Sequence, residues 1–300
     1  MPVIDLIEFA KIIILSIIQG ITEWLPISST GHLILVEDLL QLQLDPNFME
    51  MFRTVVQFGS ILAVVLLYFN RLNPLNPRKS QQEKKDTWIL WSKVIIATIP
   101  AGVLGLLIKD YMEEYFNTPY VVAAALIIYG FAFIWIENRQ TGQHDKIDRH
   151  LQDVSYTRSF KIGLFQALSL IPGTSRSGST ILGGLLLGMD RTVATEFSFF
   201  MSMPVMLGAS LVKLKDFGLD FSQADLIYLL SGMFVAFIVS VLVIQSLLKY
   251  IRRNDFKAFG YYRIILGTIV ILYYLFKYSA TKVGKSRRAK QKHEHFRRKC

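Results

Sequence analysis

Six long apolar stretches run through residues 54–69, 88–108, 119–136, 194–212, 226–248 and 259–276. Most approach the roughly 20 residues an α-helix needs to cross a hydrocarbon core of about 30 Å, so each predicts a membrane-spanning helix. Four other apolar pieces, Ile4–Ile18, Leu33–Leu40, Phe160–Ile171 and Ile181–Met189, are too short or too interrupted to cross comfortably. They come in two pairs, and each pair flanks a segment of Pro, Ser, Thr and Gly.

The chain therefore reads as two halves with one plan: short piece, polar motif, short piece, three spans. Short hydrophobic segments broken at corresponding points of two halves point to discontinuous helices meeting near the bilayer midplane. Non-helical backbone at that depth has to be buried in protein or line a wet cavity, because lipid cannot satisfy it. The expected fold is all-α, a polytopic membrane protein built as an inverted repeat of two halves. Each half is one re-entrant helical hairpin plus three transmembrane helices, and three spans per half set the second half upside down. The pseudo-repeats are 1–137 and 155–280, within a single integral membrane domain at 1–280. A basic tail follows at 281–300.

Composition agrees with a membrane setting: 52% of residues are hydrophobic and 19% charged, with a mean hydropathy of +0.38. The net charge of +10 falls between the spans and in the tail, where it meets anionic headgroups or solvent, so no nucleic-acid partner is expected. Cys300 is the one cysteine, which excludes a disulfide framework or a cysteine metal site within the chain. Asp5 and Glu8 stand where a signal peptide carries a basic region, so no removable signal is expected.

Loop charge gives an orientation. One side carries Arg71, Arg78, Lys79, Lys84 and Lys85, then Arg139, Lys146, Arg149, Arg158 and Lys161, then Lys249, Arg252, Arg253 and Lys257; the other carries Lys109, Lys213 and Lys215. The positive-inside rule puts the rich side in the cytoplasm and both termini outside. The basic C-terminal tail runs against this assignment, and three concordant loops outweigh it.

The first motif reads Gln19-Gly20-Ile21-Thr22-Glu23-Trp24-Leu25-Pro26-Ile27-Ser28-Ser29-Thr30-Gly31-His32. Gln19 and Glu23 are four apart and share one helix face. A carboxylate at membrane depth is costly; it holds a cation, takes a proton, or serves as structural glue to a neighbouring Ser or Arg. Pro26 stops the helix, and Ser28, Ser29, Thr30 and Gly31 suit the start of a second one. A helix N-terminus of this kind binds phosphate through its free amides. His32 can exchange protons near neutrality or attack phosphorus, although a lone membrane histidine is often hydrogen-bonded packing.

The second motif reads Pro172-Gly173-Thr174-Ser175-Arg176-Ser177-Gly178-Ser179-Thr180. The Arg176 guanidinium is permanently charged and forked to match phosphate oxygens, and the glycines and hydroxyls around it allow an anion-binding nest. An ion pair of Arg176 with Glu23 is the structural alternative, and it is compatible with a pair that opens on substrate binding. One carboxylate, one imidazole, one guanidinium, many hydroxyls and two helix openings suit an anion undergoing phosphoryl chemistry.

Over essentially the whole chain to about residue 280, these motifs resemble the undecaprenyl-diphosphate phosphatase family, also called the bacitracin-resistance protein family. The resemblance rests on Gln19, Glu23 and Leu25–His32, on Pro172–Gly178, and on the flanking Gln57-Phe58-Gly59-Ser60 and Glu196-Phe197-Ser198-Phe199. It implies hydrolysis of undecaprenyl diphosphate, a polyprenyl diphosphate lipid, to the monophosphate carrier used in bacterial wall synthesis. A divalent cation, Mg2+ or Ca2+, and a site facing the outer surface of the inner membrane are implied with it. Many relatives carry Glu where this chain has Gln19, which leaves Glu23 as the main carboxylate and Gln19 as a secondary metal ligand. Glu23, Ser29, His32 and Arg176 are the candidate catalytic groups; Ser28, Thr30, Ser175, Ser177, Gly178 and Thr180 are the candidate phosphate contacts. Serine, histidine and water all stand as nucleophiles, and the oligomeric state is open, a homodimer included. The competing reading is a lipid-phosphate or anion transporter using the same broken-helix site. A phosphatidic-acid-type phosphatase fits less well, since no histidine follows Arg176 until His293.

Overall fold

The computed structural model describes residues 4–140, 148–218 and 220–297. Lys146 and the tail residues 298–300, which enter the charge argument, lie outside the described residues. Eleven helices follow one another among the described residues: α1 Leu6–Thr22, α2 Ser29–Leu40, α3 Pro46–Leu67, α4 Phe69–Leu72, α5 Gln81–Phe116, α6 Pro119–Gln140, α7 Tyr156–Ala167, α8 Arg176–Leu186, α9 Arg191–Phe217, α10 Gln223–Ile251 and α11 Lys257–Arg297. No strand occurs among the described residues, so the all-α expectation holds.

Six helices are long and apolar enough to cross a membrane, namely the stretches Pro46–Leu67, Gln81–Ile108, Pro119–Arg139, Arg191–Phe217, Gln223–Ile251 and Lys257–Ser279. The sequence expectation of six spans is met, but each helix is longer than its apolar stretch. The extra turns come from polar caps that hydropathy does not count. Asp45 accepts from Asn47 N and Phe48 N at the start of α3, and Ser80 and Glu83 form a reciprocal capping box at the start of α5. Ser222 and Asp225 do the same for α10. At the other end of the chain, the helical backbone of α11 runs on into the expected tail, which is rich in helix-favouring Lys, Arg, Gln and Ala.

Apart from the single turn α4, the helices outside the six spans are α1, α2, α7 and α8, and they fall in two pairs. α2, α7 and α8 have 12, 12 and 11 residues, or roughly 16–18 Å each, well short of a hydrocarbon core. α1 packs on α2 and α7 packs on α8. α1 lies against α10 and α7 against α5, while α6 pairs with α11 and α3 with both α9 and α10. Small residues permit these contacts: a Cβ on Gly130 of α6 would meet Gly260 O of α11 at 2.8 Å, and a Cβ on Gly260 would meet Gly130 O at 2.8 Å. Two backbones this close need glycine on both sides, as in membrane helix pairs generally.

Large apolar side chains such as Leu106, Leu107, Phe131, Phe234 and Leu242 stay exposed on the spans. On a water-soluble domain they would be a liability; on a spanning helix they face lipid. At one end of the bundle, Glu137 is fully buried and accepts from Arg191 Nη2 at 2.5 Å and from Phe256 N at 3.1 Å. That network ties α6, α9 and the start of α11 together and holds the frame around the hairpins.

Candidate active site

Both hairpins turn on the same local device. Ser28 caps α2 with φ 73° and Ser175 caps α8 with φ 69°. Left-handed φ is costly for a non-glycine residue and persists where the surroundings over-determine it. In each case the serine side chain accepts from the amide three residues on, Gly31 N at 3.3 Å and Gly178 N at 3.1 Å. The two helix starts are thus held by equivalent caps, and the remaining N-terminal amides are available to an anion. Gly173, at φ +90°, makes the second turn feasible: a Cβ there would lie 2.5 Å from Val122 O.

Glu23, at the end of α1, meets Arg176, the first residue of α8. Arg176 Nη2 donates to Glu23 Oε1 at 3.2 Å and Nη1 donates to Ser198 O at 2.9 Å. Gln19 Nε2 donates to Glu23 Oε2 at 2.8 Å, so both carboxylate oxygens are engaged. The side chains of Arg176 and Glu23 are only 9% and 6% exposed, which makes this a buried pair. Around it, Ser177 Oγ donates to Glu23 O at 3.1 Å and to Leu25 O at 3.3 Å, stitching the second hairpin to the first. Thr180 Oγ1 bonds Arg176 O at 2.9 Å and shares a 2.6 Å contact with Ser198 Oγ. Trp24 is fully buried beneath Arg176, with the guanidinium carbon 5.9 Å from its ring centre.

Polar atoms remain unsatisfied in this cluster. Gln19 Oε1, Trp24 Nε1 and Arg176 Nε are buried without a hydrogen-bond partner. Buried polar groups are rarely left so, and a shell with spare donors and a spare acceptor fits a site that receives a charged, hydrated guest. Among the described residues no three His, Cys, Asp or Glu side chains come together. Glu23 with the free Gln19 oxygen therefore offers a hard cation a sparse oxygen set. Such a set suits a cation whose other ligands are water and substrate phosphate.

His32 belongs to a second cluster. Its Nδ1 lies 2.7 Å from Ser28 O and its Nε2 lies 2.7 Å from Tyr262 Oη, with the two rings stacked at 5.6 Å. A carbonyl oxygen only accepts, so the ring proton sits on Nδ1 and Nε2 accepts from the Tyr262 hydroxyl. Among the described residues His32 makes no hydrogen bond to Glu23, Ser29 or Arg176. Ser29 is half-buried, Thr30 is exposed, and neither hydroxyl is engaged among the described residues.

The structure thus gathers Gln19, Glu23, Arg176, Ser177 and Thr180 into one network, places Ser28, Ser175 and Gly178 at the two helix starts, and sets Ser29, Thr30 and His32 along the first turn of α2. The motifs include Trp24 and Ser198 without giving either a role, and Tyr262 and Arg263 fall outside them. Arg263 had a legible signal, an arginine in the middle of the apolar stretch 259–276. It is fully buried and contacts both hairpin loops. Further out, Asp38 at the end of α2 binds Lys277 Nζ at 2.5 Å and Tyr273 Oη at 2.8 Å. The Lys277 ammonium foremost, and Tyr273 with it, hold the Asp38 carboxyl below its ordinary range against the opposing effect of burial.

Comparison with known proteins adds to this geometry. The family model described as Bacitracin resistance protein BacA matches residues 12–269. A protein of Enterococcus faecalis named undecaprenyl-diphosphatase is 54% identical over 89% of this chain and 97% of its own length. Proteins of the same name from Acetivibrio thermocellus and Lactiplantibacillus plantarum are 54% and 53% identical, each over 90% of this chain and 99% and 98% of their own lengths.

Proposed function

This chain belongs to the bacitracin resistance protein BacA family, and from that premise we propose that it hydrolyses undecaprenyl diphosphate to undecaprenyl phosphate and orthophosphate. The activity recycles the carrier lipid of cell-wall synthesis and underlies bacitracin resistance. The observation that carries the reading is the buried Glu23–Arg176 pair, set where two strained serine caps open two short helices. The rival transporter reading has no comparable support, since the relatives are named for hydrolysis.

The two halves form an inverted repeat of re-entrant hairpins. Packing supports it: α1 on α10 matches α7 on α5, while α6 pairs with α11 and α3 with α9, as a two-fold relation between halves would exchange them. So do the matching caps at Ser28 and Ser175. The pseudo-repeats 1–137 and 155–280 make one membrane domain in the bacterial inner membrane, with both termini and the site facing outward. The loop charges support that orientation.

In the proposed mechanism the terminal phosphate takes over Arg176 from Glu23 and lies against the amides at the starts of α2 and α8. The guanidinium fork and the helix amides then stabilise charge on the transferring phosphoryl oxygens. The unengaged Ser29 hydroxyl, or a water beside it, attacks the terminal phosphorus. The anhydride P–O bond breaks, and the polyprenyl monophosphate leaves with its bridging oxygen. Where Ser29 attacks, a water then displaces its Oγ from the phosphoserine and releases orthophosphate. Nε2 of His32 is the basic nitrogen available to take up the nucleophile's proton, once the Tyr262 hydroxyl yields or relays it. Glu23 and Gln19 would hold Mg2+ or Ca2+, which when bound offsets diphosphate charge.

Orthophosphate release from undecaprenyl or farnesyl diphosphate by detergent-purified protein, with Mg2+ or Ca2+ and then with chelator, tests this function. Cation-dependent release is expected. A folded protein that releases none under either cation overturns the hydrolase reading in favour of a carrier.

A further inference from the structure

Arg263 lies on α11, far in sequence from either motif, and is fully buried. Its donors reach three backbone carbonyls of the two hairpin loops: Pro26 O at 3.0 Å, Gly173 O at 3.1 Å and Thr174 O at 2.9 Å. Its guanidinium carbon sits 5.3 Å from the ring centre of Tyr129, and a Cβ on Gly178 would lie 2.8 Å from its Nη1. Among the described residues no carboxylate pairs with it. A buried guanidinium held by carbonyl dipoles and an aromatic face alone is expensive in any interior, and most of all in a membrane.

The position of those carbonyls supplies a reason for that cost. Pro26 is two residues before the Ser28 cap; Gly173 and Thr174 immediately precede the Ser175 cap. A carbonyl oxygen beside a helix start repels a phosphate that the helix amides attract. Arg263 gathers the oxygens from both hairpins onto its own donors, which keeps them turned from an anion approaching the two helix starts. The surroundings also leave the site's charge uneven: Glu23 balances Arg176, and among the described residues no carboxylate balances Arg263.

We propose that Arg263 is a positioning residue for the diphosphate, turning the loop carbonyls of both hairpins onto itself and supplying the standing positive charge that draws the anion while Arg176 is still paired with Glu23. The proposal rests on the hydrolase reading above. Once the phosphate arrives, Arg176 exchanges Glu23 for it; Arg263 keeps its carbonyls throughout and never touches the substrate.

Competition by inorganic pyrophosphate against lipid diphosphate hydrolysis separates this from a brace that only holds the fold. Arg263→Lys keeps the charge, though one ammonium cannot reproduce the planar fork over three carbonyls; Arg263→Gln removes the charge and keeps hydrogen-bonding capacity. The expected results are a pyrophosphate inhibition constant about threefold weaker than wild type for Lys, which loses the fork over the carbonyls but keeps the charge, and at least about tenfold weaker for Gln, which loses the charge as well. Both variants should melt below wild type in detergent, so anion affinity and stability part company in the Lys variant. Equal weakening in both variants, or none in either, overturns the proposal. If one variant does not fold, the other decides by the same limits; if neither folds, Arg263 is only a brace and the proposal falls. Phosphate release by the wild type is measured alongside: its absence refutes the hydrolase reading itself, whereas its presence with any overturning result refutes the role of Arg263 alone.

Discussion

Removing Arg176 should harm the fold less when Glu23 loses its charge at the same time. The pair is buried on both sides, at 9% and 6% exposure, with 3.2 Å between Nη2 and Oε1. At an effective dielectric near 20, two unit charges at that separation attract by about 5 kcal/mol, before the cost of desolvating them. Arg176→Ala leaves a buried carboxylate whose remaining side-chain partner is Gln19 Nε2 at 2.8 Å. Breaking such a pair from one side typically costs about 3–5 kcal/mol, most of it the penalty on the stranded partner. Glu23→Gln strands Arg176 in turn, although Ser198 O at 2.9 Å still accepts from it. The double variant strands neither charge, so its stability loss should fall short of the sum of the single losses by roughly 2–3 kcal/mol. Thermal or denaturant unfolding of the four proteins in one detergent measures this coupling. Additive losses, within about 0.5 kcal/mol, would show that the charges do not feel each other and would refute the buried Glu23–Arg176 pair.

Other substitutions probe separate parts of the account. Gly173→Ala places a Cβ 2.5 Å from Val122 O at φ +90°, and should cost roughly 2–4 kcal/mol in unfolding experiments. His32→Ala should reduce phosphate release by about 10²–10⁴-fold, the range for a lost proton-transfer group, and should lower stability by only about 1–3 kcal/mol for its lost bonds to Ser28 O and Tyr262 Oη. The Asp38 carboxyl is held below its ordinary value by Lys277, so the tie stabilises the folded protein above the unfolded carboxylate value of about 3.9. The contribution is lost as pH falls through the depressed folded value. Because the two side chains are 22% and 49% exposed, it should stay under about 1 kcal/mol, visible as a flatter pH dependence of melting in Asp38→Asn below pH 5.

Much of this architecture is legible in the sequence because the membrane imposes a simple rule. Long apolar stretches predict the six spans, and two short, broken pairs predict the short helices that pack as α1 with α2 and α7 with α8. Helix ends were misjudged wherever Asp45, Ser80 or Ser222 capped a helix outside its apolar stretch. Glu23 and Arg176 could be singled out as residue types too costly for their setting, and their pairing followed from charge. Other features depend on three-dimensional coincidence. Ser28 reads as the start of a helix and Ser175 as part of an anion-binding nest, and no local pattern announces a left-handed φ at a serine. Tyr262 is an unremarkable tyrosine until His32, 230 positions earlier, stacks on it. Arg263 had a signal of its own, but its targets are backbone carbonyls, which every residue carries and no motif marks.

A phosphoryl-transfer site at Glu23 and Arg176 differs from a structural tie in what removing either side chain does to turnover. Orthophosphate release from undecaprenyl diphosphate should therefore be measured for wild type, Glu23→Ala and Arg176→Ala, each shown to be folded by size-exclusion elution. The account predicts steady release by the wild type and a loss of at least about 10²-fold in each variant, the usual effect of removing one electrostatic stabiliser of a transition state. Near-normal release by both folded variants would contradict it and move the chemistry away from the two hairpins.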